Sequence, residues 1–451
     1  MSARLSRRSL LTGIVALPLL AACGGAGSPP AAAPTAAPAK AEGTAKPGPA
    51  AAKPATGAGP RDLPLVFSGW ILDQNPVIAK QLIDRYNQEN SAVKITVASA
   101  PDDLPQKLLL EAQQGKSTWA GWEGHTAFLN TAPLVEANVL APIDEYIPKD
   151  DFGDMVPSSI EESKYKGKMY HYPMRVSPIA MGYRPSLLKQ LGYEQPPPTW
   201  EGIFELCAKA QKDLSTPDKK MFGIVFHTPA WRSVWPVNAT LNSKPYRDGR
   251  ADMDAPSMAK AFEITKKLFS FSSPDVFNFD AMQNIFRAGQ APLIMIYVLA
   301  IWSNKKPLNG DVAIGRMPKT AEAEGTVYWS SGGNALKHHP AHPEAAPFFS
   351  WLSKQKALWD SMWVQQGVPP NRRSMFKLYD PVKGTELDAG YWLTQEMQEK
   401  SVGIPNSLDV PIQAKHTEKN LQDFLLDKLK PEQAIANIKK DTDEEIAKQQ
   451  K

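Results

Sequence analysis

Residues 63–67 form a short apolar run, residues 77–86 place Ile78, Leu82 and Tyr86 on one helical face, and Val93, Ile95 and Val97 alternate like a strand. Strand, helix and strand in that order make a βαβ unit, whose strands run parallel because the helix carries the chain back across one face. The chain is thereby committed to an α/β sheet. Asp73 and Pro76 punctuate the step from the first strand to the helix, so Trp70 and Asp73 fall on the loop leaving the strand's carboxyl end. Open α/β sheets bind ligands there.

The same alternation continues downstream. Pro196-Pro197-Pro198-Thr199 precedes a helical stretch over residues 200–211, with Thr199 as its N-cap and Glu201 in the first turn. Residues 293–302 are strongly apolar but only about half the length of a membrane span, which predicts a buried strand passing into a helix. Pro343-Glu344 opens a helix with Phe348, Phe349 and Leu352 at helical spacing, and Lys430-Pro431-Glu432 opens the last one. No fixed-period repeat is visible, which excludes solenoids and propellers.

With 451 residues, 42% of them hydrophobic and 22% charged, the chain can bury cores for two ordinary domains. The formal charge of +4 is small for this length and no Lys/Arg cluster suits a phosphate backbone, so nucleic acid is not an expected partner. Cys207, among Ile203, Phe204, Leu206 and Ala210, reads as a buried small hydrophobe.

The amino-terminal residues carry an address. Arg4, Arg7 and Arg8 precede an apolar run over 10–20 of signal-peptide length, predicting export by residues 1–22. The run ends in Leu20-Ala21-Ala22-Cys23, which resembles a bacterial lipobox, so the expectation is lipidation at Cys23 and attachment to the outer face of the cytoplasmic membrane or in the periplasm. The twin arginines also resemble a Tat signal, with Leu where Phe is favoured, which leaves Tat and Sec export both open. Residues 24–60 are almost all Ala, Pro, Gly, Thr and Ser, a composition that buries no core; with Cys23 they read as a disordered tether over 23–60. At about 3.1 Å per residue such a tether reaches on the order of 100 Å.

Several motifs then occur in a telling order. Tyr165-Lys166-Gly167-Lys168-Met169-Tyr170-His171-Tyr172-Pro173 is followed by Met181-Gly182-Tyr183-Arg184 and by Pro197-Pro198-Thr199-Trp200-Glu201. Phe286-Arg287-Ala288-Gly289-Gln290-Ala291, residues 311–318, His342-Pro343-Glu344-Ala345-Ala346 and Leu429-Lys430-Pro431-Glu432-Gln433-Ala434 come after. From Leu65 to the end the chain thus resembles the family 1 extracellular solute-binding proteins, a group that includes the sugar-binding components of ABC importers. Arg184 replaces the usual Asn, and Ser117-Thr118-Trp119 stands where Pro-Asp is common. The resemblance implies a two-lobed α/β fold of the periplasmic-binding type II (Venus flytrap) class, with the ligand in a cleft between lobes. Lobe 1 would be 61–176 and 327–369, lobe 2 would be 177–326 and 370–451, and the chain would cross near 173–177, 322–327 and 368–371. The implied protein is a monomer that takes no cofactor, captures a small polar solute, most naturally a mono- or oligosaccharide, and delivers it to ABC permease subunits.

By the same resemblance Trp70 and Asp73 match the first cleft loop, and Trp119, Trp122 and Glu123 the second. Ser177, Trp231, Arg232, Trp235, Tyr297, Trp302 and Arg372 complete the expected ligand contacts. Aromatic faces stack on sugar rings while carboxylates and guanidinium groups take hydroxyls. Trp351, Trp359 and Trp363 recur at helical spacing and read as core. No enzymatic or metal motif stands up: His338, His339 and His342 are broken by Pro340 and Pro343, Ser186 and Lys189 form an SxxK without its partner motifs, and Ser330-Ser331-Gly332-Gly333 is not a nucleophile elbow. An enzyme acting on cell-surface polysaccharide would need a paired acid and base, for which Asp73 and Glu123 are the candidates. A sensory or structural lipoprotein is the other alternative.

Overall fold

The computed structural model describes residues 60–68, 76–101, 103–320, 323, 326–365, 369–379 and 400–449. Cys23 and the tether, Trp70 and Asp73 lie outside the described residues.

The opening βαβ unit forms as its pattern predicts. β1 (Arg61–Phe67) pairs in parallel with β2 (Val93–Ser99) across α1 (Pro76–Glu89), whose Ala79, Leu82 and Tyr86 are buried. After α2 (Leu104–Gln113), β3 (Gly121–Thr126) lies parallel on the other side of β1. There follow α3 (Ala127–Glu136), β4 (Leu140–Ala141), α4 (Lys149–Asp154) and α5 (Pro157–Glu162). The segment 165–173 is divided in the structure. A hairpin of β5 (Lys164–Tyr165) and β6 (Lys168–Met169) turns at Lys166 and Gly167, both at positive φ as a two-residue hairpin turn demands, and only then does β7 (Tyr172–Tyr183) begin.

The second run of elements contains α6 (Pro185–Gln190), α7 (Trp200–Asp213), β8 (Ile224–Phe226), α8 (Val234–Ala239), β9 (Tyr246–Arg247), β10 (Arg250–Ala251) and α9 (Pro256–Ser270). Thr199 caps α7, accepting from the Gly202 N–H at 3.2 Å. Then come α10 (Phe279–Arg287), β11 (Leu293–Tyr297) passing directly into α11 (Val298–Trp302), and β12 (Ala313–Gly315). The apolar stretch 293–302 is therefore the buried strand and helix its length predicted, and no helix among the described residues is long and apolar enough to cross a membrane. β13 (Val327–Leu336), α12 (Ala345–Ser353), α13 (Lys356–Trp359), α14 (Arg373–Lys377), β14 (Val402–Gly403), α15 (Asp409–Leu425) and α16 (Pro431–Gln449) complete the chain.

The main sheet runs β2-β1-β3-β13-β7-β11-β8. Its decisive strand is β7. Residues from Tyr172 to Pro178 pair antiparallel with β13, whereas those from Ile179 to Tyr183 pair with β11 on one edge and β12 on the other. One strand therefore serves two cores. The first gathers Leu63, Leu65 and Phe67 with Tyr172, Met174, Phe348, Phe349 and Trp359; the second gathers Ile179, Met181, Ile203, Cys207, Phe226, Phe262 and Leu293. Met375, Phe376 and Tyr379 pack into the first core, later in the chain than the boundary at 369 expected from the sequence.

The Ser-Ser-Gly-Gly segment of β13 has a structural use. The ladder to β7 shifts register between Ser331 and Gly332, and the ladder to β3 between Gly332 and Gly333. A Cβ at Gly332 would overlap the Tyr172 carbonyl oxygen, and one at Gly333 would overlap the Phe349 ring. Only glycine lets the bulged strand lie this close to its neighbours.

Candidate functional site

The middle of β3, the first half of β7 and the end of β11 bring charged and aromatic side chains together where the two cores meet. Glu123, on β3, is completely buried beside Arg175, whose guanidinium is drawn down to about 10 by burial while the charge of Glu123 opposes that fall. Arg175 is itself only 4% exposed, an unusual state for an arginine inside an otherwise apolar strand. Ser177, two residues on, is also buried and pairs with Trp329 along the backbone.

Tyr297 closes β11 near both Arg175 and Arg232. Its ring is nearly parallel to that of Phe279, at 8° with centroids 6.3 Å apart. The Arg232 guanidinium sits over three rings: Trp231 at 4.0 Å, Tyr297 at 5.2 Å and Phe279 at 5.4 Å from Cζ to centroid. Its Nη1 donates to His227 Nδ1 at 2.7 Å. Burial, aided by the Arg232 charge, drives the His227 imidazole down to about 3, so it is neutral and can accept that bond. Glu418 of α15 acts on Arg232 through space, and burial raises the pKa of this carboxyl.

Trp231 reaches across. Its ring meets Phe128 of α3 edge to face at 5.6 Å, joining an element next to β3 to the loop before α8. Further polar atoms are buried without a hydrogen-bond partner: Arg232 Nε, Trp235 Nε1, both amide atoms of Asn238 and the Tyr246 hydroxyl. Trp235 and Asn238 are three residues apart on α8 and so share a face, and Trp235 meets Tyr246 edge to face. Folded proteins satisfy nearly all buried polar atoms, so unpartnered ones on neighbouring side chains stand out.

The expected contacts separate accordingly. Glu123, Ser177, Trp231, Arg232 and Tyr297 converge on the junction. Trp122 is buried close by, its Nε1 donating to Ser68 Oγ at 2.6 Å. Trp119 is instead a core residue among Leu104, Leu108 and Leu134, with Lys107 over its ring at 4.3 Å. Trp235 is fully buried in the second core, offering its indole nitrogen rather than a ring face, and Trp302 packs at the margin of that core beside Lys305. Arg372 is a correction: its guanidinium is spent on Asp151 Oδ1 at 3.0 Å, Asp154 Oδ2 at 2.9 Å and the Tyr172 hydroxyl at 3.1 Å. It is a structural cation of the first core.

Sequence reasoning passed over Phe128, Arg175, His227, Phe279 and Glu418. A cation within the apolar run Tyr-Pro-Met-Arg-Val-Ser-Pro could have flagged Arg175; nothing local distinguishes the others. Among the described residues no group of three or more His, Cys, Asp or Glu is placed to hold a metal ion.

Residues 81–386 match the bacterial extracellular solute-binding protein family. The chain belongs to that family. A maltotriose-binding protein of Pyrococcus abyssi is 26% identical over 316 residues, covering 65% of this chain and 63% of that protein. A probable ABC transporter-binding protein of Deinococcus radiodurans is 22% identical over 54% of this chain and 61% of its own length. The chain thus spans less than two thirds of the length of these sequence relatives. Among solved structures, an ABC substrate-binding protein of Listeria monocytogenes in complex with cycloalternan superposes with a TM-score of 0.70 at 17% identity, over 86% of this chain and 99% of that one. A cyclo/maltodextrin-binding protein complexed with maltotetraose gives 0.68 at 17% identity, over 87% and 99%. These likenesses establish the two-lobed fold.

Proposed function

We propose that this family member is the solute-capturing lipoprotein of an ABC import system, binding a mono- or oligosaccharide between its lobes and presenting it to a membrane permease. The observation that carries the reading is the junction itself. A carboxylate, two buried arginines, stacked aromatics and a set of unpartnered polar atoms converge where two separately packed cores share one strand. Such a surface suits a ligand with many hydroxyls and apolar ring faces. The carbohydrate ligands named for the relatives support the same class. The lobe boundaries expected from sequence, with the first lobe extended to Tyr379 by its packing, belong to this proposal, as do export and anchoring through Cys23.

The reading is of binding without turnover. Glu123 acts on the Arg175 guanidinium through space, and Asp73, its partner in the enzymatic alternative, lies outside the described residues. A thermal-shift screen against mono- and oligosaccharides tests it. A ligand at 100 times its dissociation constant adds about 2.7 kcal/mol of stability. A saturable rise for one sugar class, with the sugar recovered unchanged, is the expected result; consumption of the sugar, or no rise for any of them, refutes it.

A further inference from the structure

The two arginines at the junction are not equivalent. Arg175 has a buried carboxylate, Glu123, close by in the same lobe. Arg232, only 7% exposed, has one hydrogen-bond acceptor, the neutral His227 imidazole, and its Nε is buried without a partner. Glu418 acts on it only through space, and burial works against the charge of that carboxyl. A guanidinium cannot shed its charge, and a buried cation without an anion in hydrogen-bonding contact is costly. The aromatic box of Trp231, Phe279 and Tyr297 compensates in part, and it also fixes the cation in place. Three ring centroids lie 4.0–5.4 Å from its Cζ, and the guanidinium's planar N–H fork is of the kind that matches a carboxylate or phosphate in bidentate fashion.

We infer that the captured carbohydrate bears an anionic oxygen group, a carboxylate or a phosphate ester, and that this group seats on the Arg232 guanidinium. The inference rests on the solute-binding reading above and narrows it to acidic sugars. Neutral sugar hydroxyls could accept from the same N–H groups, but they would leave the guanidinium with no anion in hydrogen-bonding contact, Glu418 acting on it only through space.

Matched pairs of neutral and acidic sugars test this by isothermal titration calorimetry with the whole chain: maltotriose with maltotrionic acid, galactose with galacturonate, and glucose with glucose 6-phosphate. In the pair whose scaffold fits, the acidic member is expected to bind at least tenfold tighter, and the carboxylate and phosphate arms say which anion is read. In Arg232→Gln the gap falls to within about threefold. Arg232→Lys, which keeps the charge and loses the fork, keeps a preference of reduced size. Neutral members binding as tightly as their acids overturn the inference while leaving carbohydrate capture standing. So does an acid preference unchanged in either variant. No binding by any member overturns the carbohydrate reading and this inference with it.

Discussion

Replacing Arg372 with methionine separates a structural cation from a ligand contact. In the folded chain Arg372 bonds Asp151, Asp154 and the Tyr172 hydroxyl, and Asp151 is completely buried. Removing one partner of a buried pair costs about 3–5 kcal/mol. The lower end applies because Lys354 Nζ still reaches Asp151 at 2.6 Å and Ser350 Oγ at 2.5 Å. With a denaturant slope near 3 kcal/mol/M, the urea midpoint of the variant falls by about 1 M. A pH titration of stability provides a second readout. Burial pushes the Asp151 carboxyl up, but bonds from Lys354, Ser350 and Arg372 outweigh it and hold the group at about 2, against an ordinary 3.8. A depressed carboxyl stabilises the fold above pH 4 and loses that contribution as pH falls towards 2. The size is on the order of 2 kcal/mol. In Arg372→Met this acid-limb dependence shrinks, while affinity for the solute in the folded protein stays within about threefold of the parent. A variant of unchanged stability whose affinity drops more than tenfold would refute the structural assignment.

Two further substitutions test the junction's framework. Glu162 is buried, its carboxylate facing the Ser330 N–H, and burial raises it to about 8 from an ordinary 4.5 despite those bonds. The fold therefore binds this proton more tightly than the unfolded chain does, and stability declines as pH rises from about 4.5 to 8. Glu162→Gln removes that decline, so urea midpoints of parent and variant diverge in the variant's favour across the window; parallel curves would contradict it. Gly332→Ala sets a methyl group against the Tyr172 carbonyl in the bulge of β13 and is expected to cost about 3 kcal/mol or more, or to abolish folding, measured by the same denaturation.

The parts of the fold legible in the sequence were those with strong local periodicity. The 63–97 segment, the Thr199 cap and the strand-to-helix step at 293–302 each carry their own pattern, and each formed where that pattern put it. Long-range pairing left weaker traces. Nothing in the residues of β7 announces that its two halves serve different cores: Arg175 and Ser177 fall in the first half, but apolar residues run through both and both are buried. The site was legible only by residue type. Tryptophan suits both a core and a sugar platform, and Trp119 and Trp231 differ in what packs on them, which their neighbours in sequence do not encode. Arg372 misled for a similar reason: its acids, Asp151 and Asp154, lie more than two hundred residues earlier.

The shared strand explains how capture could be coupled to movement at low cost. Bending β7 between Pro178 and Ile179 leaves each half paired to its own partners, β13 on one side and β11 with β12 on the other. The described aromatic contact between α3 and the Trp231 loop is one edge-to-face pair, worth about 0.5–1.5 kcal/mol beyond the area it buries. A ligand touching Glu123 or Arg175 from one side and Arg232 or Asn238 from the other would bind both sides only when they are together, and that difference in affinity shifts the population towards closure. Ligand contacts confined to one side would leave the equilibrium where it stands. Under the proposed function, the division of polar groups between the two cores is what ligand-dependent closure would require.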